Sequence, residues 1–462
     1  MDRTDLFENT PVSGAVLKLC IPTMLSSIVL IFYNLADTFF VGMLNAPVQT
    51  AGITLISPLT LGFVAFTNLF GVGASSLMSR ALGTKDYELV RRTSVFGFYC
   101  ALASGLIVSL LMFLLQSQVL SVLGTDETTF QAASGYMYWT VILGAAPSII
   151  NVVLAYFVRS EGASLHASIG TMSGCILNIL IDPVFILPWG LNMGAAGAGC
   201  PTLIFKWVAC AYFIILLINK KEKNSVWLDI KKIFFYRKIV KKIFSGGNPA
   251  KVTKLMKRVT MVILNNLTAG FGEHAVAAMG IASKLQMIPI NLNVGMTQGS
   301  MPIFGYNFSS KNYERLKKCV IFAIALTVAV ILAISLGFII FSKPLIRAFM
   351  NDDQVVEYGS VFLTGMCIAM PFMCMDYSAV GVFQGCGMGG RAFIFALIRK
   401  VILEIPALLI LSSLFPLYGL PYASAFAEVI MCVIAVIILI RMFRNLAGGK
   451  KGQSSISNST GQ

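Results

Sequence analysis

Long apolar stretches recur along this chain, and they constrain its fold more than any other feature. Cutting the 462 residues at polar, glycine and proline punctuation leaves apolar segments near 13–41, 51–79, 93–117, 132–158, 164–188 and 193–219. A second set follows near 256–281, 285–308, 316–341, 357–384, 393–416 and 420–442. About 20 apolar residues in a helix cross the hydrocarbon core of a bilayer, and inside lipid a helix satisfies its own backbone hydrogen bonds. Twelve such segments with short connections use up the whole length. Only 12% of the residues are charged and 57% are hydrophobic, whereas a soluble domain is nearer a quarter charged. The expected fold class is therefore an all-α polytopic membrane protein of twelve transmembrane helices, with the lipid bilayer as its solvent.

The net charge of +15 does not imply a nucleic-acid partner, because the basic residues crowd into alternate short connections. One set carries Arg80, Lys85, Arg91 and Arg92, then Arg159, the 220–258 stretch, Lys311, Arg315, Lys317, Lys318 and Arg391, and finally the tail. The opposite set is nearly bare across 42–50, 118–131 and 189–192. Basic loops stay cytoplasmic, so both termini are expected there, in a multi-pass protein of the cell membrane. The acidic start MDRTDLFENT runs straight into the first segment, which serves as its own insertion signal. The stretch 220–244 alternates basic and apolar residues at helical spacing and reads as a helix on the inner membrane surface. The expected organisation is an N-lobe over 1–219, a basic amphipathic linker over 220–250, a C-lobe over 251–447, and a disordered cytoplasmic tail over 448–462. Ten cysteines contain no C-x-x-C pair, so neither a disulfide framework nor a zinc site is expected. His166 and His274 fit no metal spacing. No nucleotide-binding loop, H-E-x-x-H or G-x-S-x-G occurs, so neither an enzyme nor a cofactor is expected.

An internal repeat adds to this. GTKDYELVRR (83–92) is echoed by SSKNYERLKK (309–318), with Lys85, Tyr87 and Glu88 recurring as Lys311, Tyr313 and Glu314, and Gly73 recurring as Gly299. Each copy holds six segments, an even number, so the second copy enters the membrane from the same side as the first. Such a parallel repeat gives two six-helix bundles related by a pseudo-two-fold axis along the membrane normal, as in alternating-access transporters.

Ionisable residues inside the segments are costly, at about 2.5–3.5 kcal/mol near a span's centre, so function is their default reading. Asp37 and Asp182 each lie about six residues before the outer end of an outward-running segment, and so at similar depth. Asn178 is four residues before Asp182, and Tyr33 four before Asp37, which puts each pair on one helix face. Pro183 loosens the helix beside Asp182, and Pro22 kinks the first segment. Burial and a neighbouring carboxylate both favour an acid's protonated form; carboxylate, amide and hydroxyl oxygens can alternatively wrap a sodium ion. Asn151 and Thr202 lie on neighbouring segments and could supply further oxygens. In the second half, Asp376 falls where Asn151 falls in the first, Glu404 precedes Pro406, and Glu428 lies in the last segment. Asp376 and Glu404 suit either a substrate or ion path, or internal pairing with Arg399 and Lys400.

Taken together, Tyr33-Asn34, Asp37-Thr38 and Gly42, the loop Gly83, Lys85 and Tyr87, the run Arg159-Ser-Glu-Gly162, Asn178 with Asp182-Pro183, and PIFGYNFSSKNYERLKK (302–318) resemble the multidrug and toxic compound extrusion (MATE) transporters. The resemblance spans about 10–445 and is strongest to the bacterial and archaeal branch of DinF-like and MepA-like proteins. It implies an N-lobe cation site on Asp37, Asn178, Asp182, Asn151 and Thr202, with Tyr33 beside it and Pro22 at a hinge of the first helix. It also implies efflux of cationic, amphipathic, drug-like compounds in exchange for H+ or Na+, by a monomer with no cofactor beyond that ion. NorM-type relatives carry acids in the seventh and tenth segments. Here the seventh offers only Lys257, Arg258, Asn265 and Asn266, so Asp376 is assigned with Asn34 and Glu404 to the substrate cavity. The alternative within the same superfamily is a flippase for lipid-linked saccharides. That activity calls for several cavity arginines and extra spans, whereas this chain offers Arg399 and Lys400.

Overall fold

The computed structural model describes residues 3–44, 46–219, 226, 240, 243 and 259–459. Among these there is no strand. In chain order the long helices are α1 (Val12–Met43), α2 (Pro47–Gly83), α3 (Tyr87–Leu114), α4 (Phe130–Ile142 and Ala145–Ser160, bent by 41°), α5 (Ser164–Ile186), α6 (Gly194–Asn219), α7 (Val259–Ala269), α8 (Glu273–Ser309), α9 (Tyr313–Ile340), α10 (Asp353–Gly385), α11 (389–414) and α12 (Gly419–Ser459). Among the described residues nine helices are long and apolar enough to cross a membrane singly, and α4 is a tenth if its two halves count together. The other two, α7 and α11, stand where the seventh and eleventh spans are expected. The residues just before α7 lie outside the described set, and α11 carries Arg399, Lys400 and Glu404.

Two boundaries differ from the sequence reading. The break between the seventh and eighth spans is expected at the polar residues near 282–284, but the turn falls at Gly272. That residue has φ 95, a backbone conformation cheap only for glycine, and Lys284 stays inside α8. At the other end α12 continues through Ser459, where a tail without structure is expected; no proline interrupts its backbone ladder. The expected linker 220–250 lies outside the described residues except for Val226, Val240 and Ile243. The Val226 amide donates to Glu161 Oε1 at 2.9 Å. The Ile243 carbonyl oxygen lies against Gly73, where a Cβ would collide with it, so only glycine allows that approach.

The chain forms two compact units, residues 1–6 with 18–251 and residues 7–17 with 252–462. Helix α1 therefore contributes to both. Its approach and first turns belong to the second unit, where Phe7 stacks on Tyr306 at 4.9 Å. There Arg315 donates to the carbonyls of Phe7 at 2.7 Å and Thr10 at 2.5 Å. The changeover at Lys18 comes one turn before Pro22, whose ring leaves the Lys18 carbonyl without its helical donor. The Thr23 hydroxyl binds the next carbonyls instead, Leu19 at 3.2 Å and Cys20 at 2.8 Å.

Each unit shows its own version of the sequence echo. Lys85 and Lys311 both have φ 59. The next residue in each case caps the following helix: Asp86 accepts from the Leu89 amide at 3.0 Å and Asn312 from the Arg315 amide at 3.2 Å. In the second unit Ala275, Ala278, Met279 and Ala282 of α8 join Phe362, Leu363, Met366 and Cys367 of α10 in one core. Small residues on one face of a spanning helix permit this close packing. Leu106, Ile107, Leu110 and Phe113 of α3 are exposed instead, as lipid-facing residues are.

Candidate cation site

Helix α5 supplies the most deeply buried part of the site. Asn178 and Asp182, one turn apart, are both 0% exposed. Both Asp182 oxygens and Asn178 Oδ1 find no hydrogen-bond partner among the described residues. An unsatisfied buried polar atom costs about 1–3 kcal/mol, and more if charged, so this arrangement calls for a proton or cation. Helix α6 brings Thr202, also buried, whose hydroxyl donates to the Ala198 carbonyl at 3.0 Å. Its Oγ1 lies 3.5 Å from both Asn178 Nδ2 and Tyr33 Oη. Helix α1 brings Tyr33, held edge-on against Phe205 at 5.5 Å, and half-buried Asp37 one turn later. The two carboxylates are close enough to act on each other, and both act on the hydroxyls of Tyr33 and Tyr136.

One helical turn beyond this oxygen set, Val41 of α1, Ile186 of α5 and Ala198 of α6 pack together with Leu187. Val41 is four residues from Asp37, Ile186 four from Asp182, and Ala198 four from Thr202, so three helices present the same order of polar turn then apolar turn. Next to Val41, Gly42 lines an open cleft of about 720 Å³, with Thr50, Thr54, Asp126 and Thr129 among others.

Two groups that the sequence reading missed belong to this site. Tyr136 of α4 lies within electrostatic range of both carboxylates. Half-buried Lys206 of α6 lies within electrostatic range of Asp37 and donates to Ser148 Oγ of α4 at 2.8 Å. A signal was available: Lys206 is four residues after Thr202 and stands mid-helix, where no end is close enough to snorkel to.

Other expected residues lie elsewhere. Asn151 is half-buried and makes no hydrogen bond among the described residues; Ser148, one turn earlier, is what α4 offers to the site. Asn34 is exposed and its amide donates to its own helix, to the Leu30 carbonyl at 2.8 Å. His166 pairs with the Tyr212 hydroxyl at 3.1 Å. Asp376 and Glu404 lie in the second unit and are internally paired. Arg399, 3% exposed, donates to Asp376 and stands 3.8 Å from Glu428, while Lys400 donates to Glu404. Arg399, Lys400 and Glu404 share the π-helical turn Ile398–Glu404 within α11. That wider turn sets Arg399 toward α10 and α12 and keeps it buried rather than snorkelling. Asp376 Oδ1 and Glu428 Oε2 remain unpartnered among the described residues.

Comparison with known proteins agrees with this architecture. The MatE family model matches residues 22–184 and 249–410. The multidrug export protein MepA of Staphylococcus saprophyticus is 29% identical over 441 residues, 95% of this chain and 96% of that protein. MepA of Staphylococcus aureus is 29% identical over 440 residues with the same coverage. Among solved structures, the outward-facing conformation of a multidrug resistance MATE family transporter of the MOP superfamily superposes with a TM-score of 0.91 at 23% identity, over 97% of this chain and 99% of that one. A point mutant of the Vibrio cholerae MATE transporter VcmN gives 0.87 at 19% identity over 94% and 97%.

Proposed function

The chain belongs to the MatE family of membrane transporters, and from that premise we propose that it is a secondary active multidrug antiporter that exports cationic, amphipathic organic compounds in exchange for H+ or Na+. The observation that carries this reading is the pairing of half-buried Asp37 with fully buried Asp182. Two carboxylates act on each other inside one helical bundle, and Asp182 has no bond to either oxygen among the described residues. Left charged and empty, such a pair is unfavourable in a low-dielectric interior. Its rest state therefore favours a bound cation. Asp37, Asp182, Thr202, Tyr33 and the Asn178 side-chain carbonyl together offer oxygens, a set that accepts either a proton or a sodium ion.

In this mechanism the coupling cation reaches the pair past the apolar turn at Val41, Ile186 and Ala198. Its arrival removes negative charge, and α1 repacks about Pro22, where the backbone ladder is already interrupted. An organic cation held by the same field then loses affinity and leaves outward. Coupling requires that the two ends of the cycle differ in cation affinity; a cation bound equally in both states drives nothing. The membrane is the cell membrane, with both chain ends on the cytoplasmic side, as the distribution of Lys and Arg among the loops supports.

The test is efflux of a cationic dye from proteoliposomes under an imposed proton gradient or an imposed sodium gradient. Wild type should respond to at least one gradient, while Asp37→Asn and Asp182→Asn lose gradient-driven export. If both variants export as well as wild type, the ion site is elsewhere. If neither gradient moves the dye through wild type, the antiport reading fails.

A further inference from the structure

We propose that Lys206 is the resident counter-ion of the Asp37–Asp182 pair and sets how tightly that pair holds an organic cation. This inference rests on the proposed cation site and adds a third cation, covalently tethered, to the competition for its carboxylates.

Lys206 lies one turn along α6 from Thr202, the hydroxyl at the centre of the oxygen set. Its Nζ donates to Ser148 Oγ at 2.8 Å and stands 6.0 Å from the centroid of the Phe205 ring, which also holds Tyr33. The ammonium is thus anchored from α4, within electrostatic range of Asp37. The charged or titratable groups around it are Asp37 from α1, Cys175 from α5 and Cys210 from α6. Asp37 interacts with Lys206 without a contact ion pair. The lysine therefore neutralises part of the pair's charge from a distance and leaves its oxygens open. Two carboxylates with one fixed ammonium hold one net negative charge, which suits a single monovalent cation.

A like charge near a binding site repels an incoming cation. At an effective dielectric of about 20 and a separation of several ångströms, this repulsion corresponds to roughly tenfold in affinity or more. Lys206→Gln removes the charge and keeps a donor for Ser148, so it isolates electrostatics from packing. We expect it to bind tetraphenylphosphonium, a lipophilic cation, about tenfold more tightly than wild type in detergent at fixed pH and low salt. Lys206→Arg should restore wild-type affinity within about twofold, because it returns the charge. In an Asp37→Asn background overall affinity should fall, yet Lys206→Gln should still tighten binding, because the ammonium repels the incoming cation directly. A misfolded protein does not gain affinity, so tightening separates the proposal from a structural role. Unchanged or weaker binding by Lys206→Gln overturns the proposal, as does a failure of Lys206→Arg to restore, or loss of the tightening in the Asp37→Asn background. Failure of the cation-site reading itself is seen separately, as unaltered gradient-driven export by Asp37→Asn and Asp182→Asn.

Discussion

Replacing Arg399 with methionine keeps the apolar length of the side chain and removes its charge from the interior of the second unit. Arg399 is 3% exposed, and its partners Asp376 and Glu428 are 1% and 3% exposed. It donates to Asp376 and stands 3.8 Å from Glu428. Without it, two buried carboxylates remain, and Lys400 is already engaged by Glu404. Removing one partner of a buried pair costs about 3–5 kcal/mol. In a unit of roughly 200 residues, where 1 kcal/mol moves the melting temperature by about 2–4 °C, the expected loss is on the order of 10 °C.

Two companion variants make the reasoning refutable. Three carboxylates face two bases in this cluster, so Glu428→Gln removes the unbalanced charge and should shift the melting temperature by no more than a few degrees. The double variant Arg399→Met with Asp376→Asn strands fewer charges and should recover part of the loss. The coupling energy between the two positions should be about 2 kcal/mol or more, within the range for directly bonded pairs. The assay is thermal unfolding of the purified protein in one detergent, followed by the loss of helical circular dichroism, since all four tryptophans lie in the first unit. If Arg399→Met melts within about 2 °C of wild type, or the cycle shows no coupling, the pair is not structural. Glu428→Gln destabilising as much as Arg399→Met would refute the charge count.

Three further outcomes follow from local geometry. Thr202→Val removes the hydroxyl shared by Tyr33 and Asn178 while keeping its volume; it should weaken the apparent affinity for the coupling cation several-fold, at about 1 kcal/mol per hydrogen bond, with Thr202→Ser close to wild type in the same efflux assay. Lys85 and Lys311 hold a backbone conformation that costs a non-glycine residue about 1 kcal/mol, so Lys85→Gly and Lys311→Gly should each raise the melting temperature and combine additively, while Lys85→Val lowers it. Asp126 lies in a connection outside the spans, where the hydroxyl and backbone amide of Thr129, with the Thr128 hydroxyl, hold its carboxyl down at about 2. A depressed acid contributes stability above its unfolded value, near 3.9, and loses it as pH falls through about 2. Amide exchange at the start of α4 should therefore be slower in wild type than in Asp126→Asn above about pH 4, and the two should converge near pH 2.

Much of the site was legible because its parts are spaced along single helices. Asn178 and Asp182, or Tyr33 and Asp37, share a face by the 3.6-residue period alone, and matching distances from segment ends put both acids at one depth. The echo of GTKDYELVRR in SSKNYERLKK likewise encodes a local device, a left-handed lysine followed by a capping Asp or Asn. What sequence does not encode is how far each helix is rotated about its own axis against its neighbours. On α4 that rotation presents Ser148 rather than the more polar Asn151, three residues away. In α11 it depends on a π-helical turn that periodicity does not reveal, and this turn carries Arg399 to Asp376 and Glu428. The break at Gly272 was hidden for another reason: a polar pair at Ser283-Lys284 looks more like a loop than Phe271-Gly272 does.

The two units treat their buried acids in opposite ways, and this difference bears on where coupling occurs in the antiporter proposed above. For Asp376 to accept a cation, its bond to Arg399 must first yield. At the roughly 3–5 kcal/mol of a broken buried pair, and 1.4 kcal/mol per factor of ten, that lowers its cation affinity by about 10²–10³-fold or more. Asp182 faces no such penalty, since neither of its oxygens is bonded among the described residues, and Lys206 acts on the pair's Asp37 side without contact. A bundle that keeps its acids unpaired gives up stability when empty, and that loss is the source of its affinity for the incoming ion. A bundle that pairs its acids gains a rigid interior and gives up that affinity. On this reasoning the first unit carries the ion and the second supplies the fixed frame, so Asp182→Asn should abolish gradient-driven export at little cost in melting temperature, while Asp376→Asn should do the reverse.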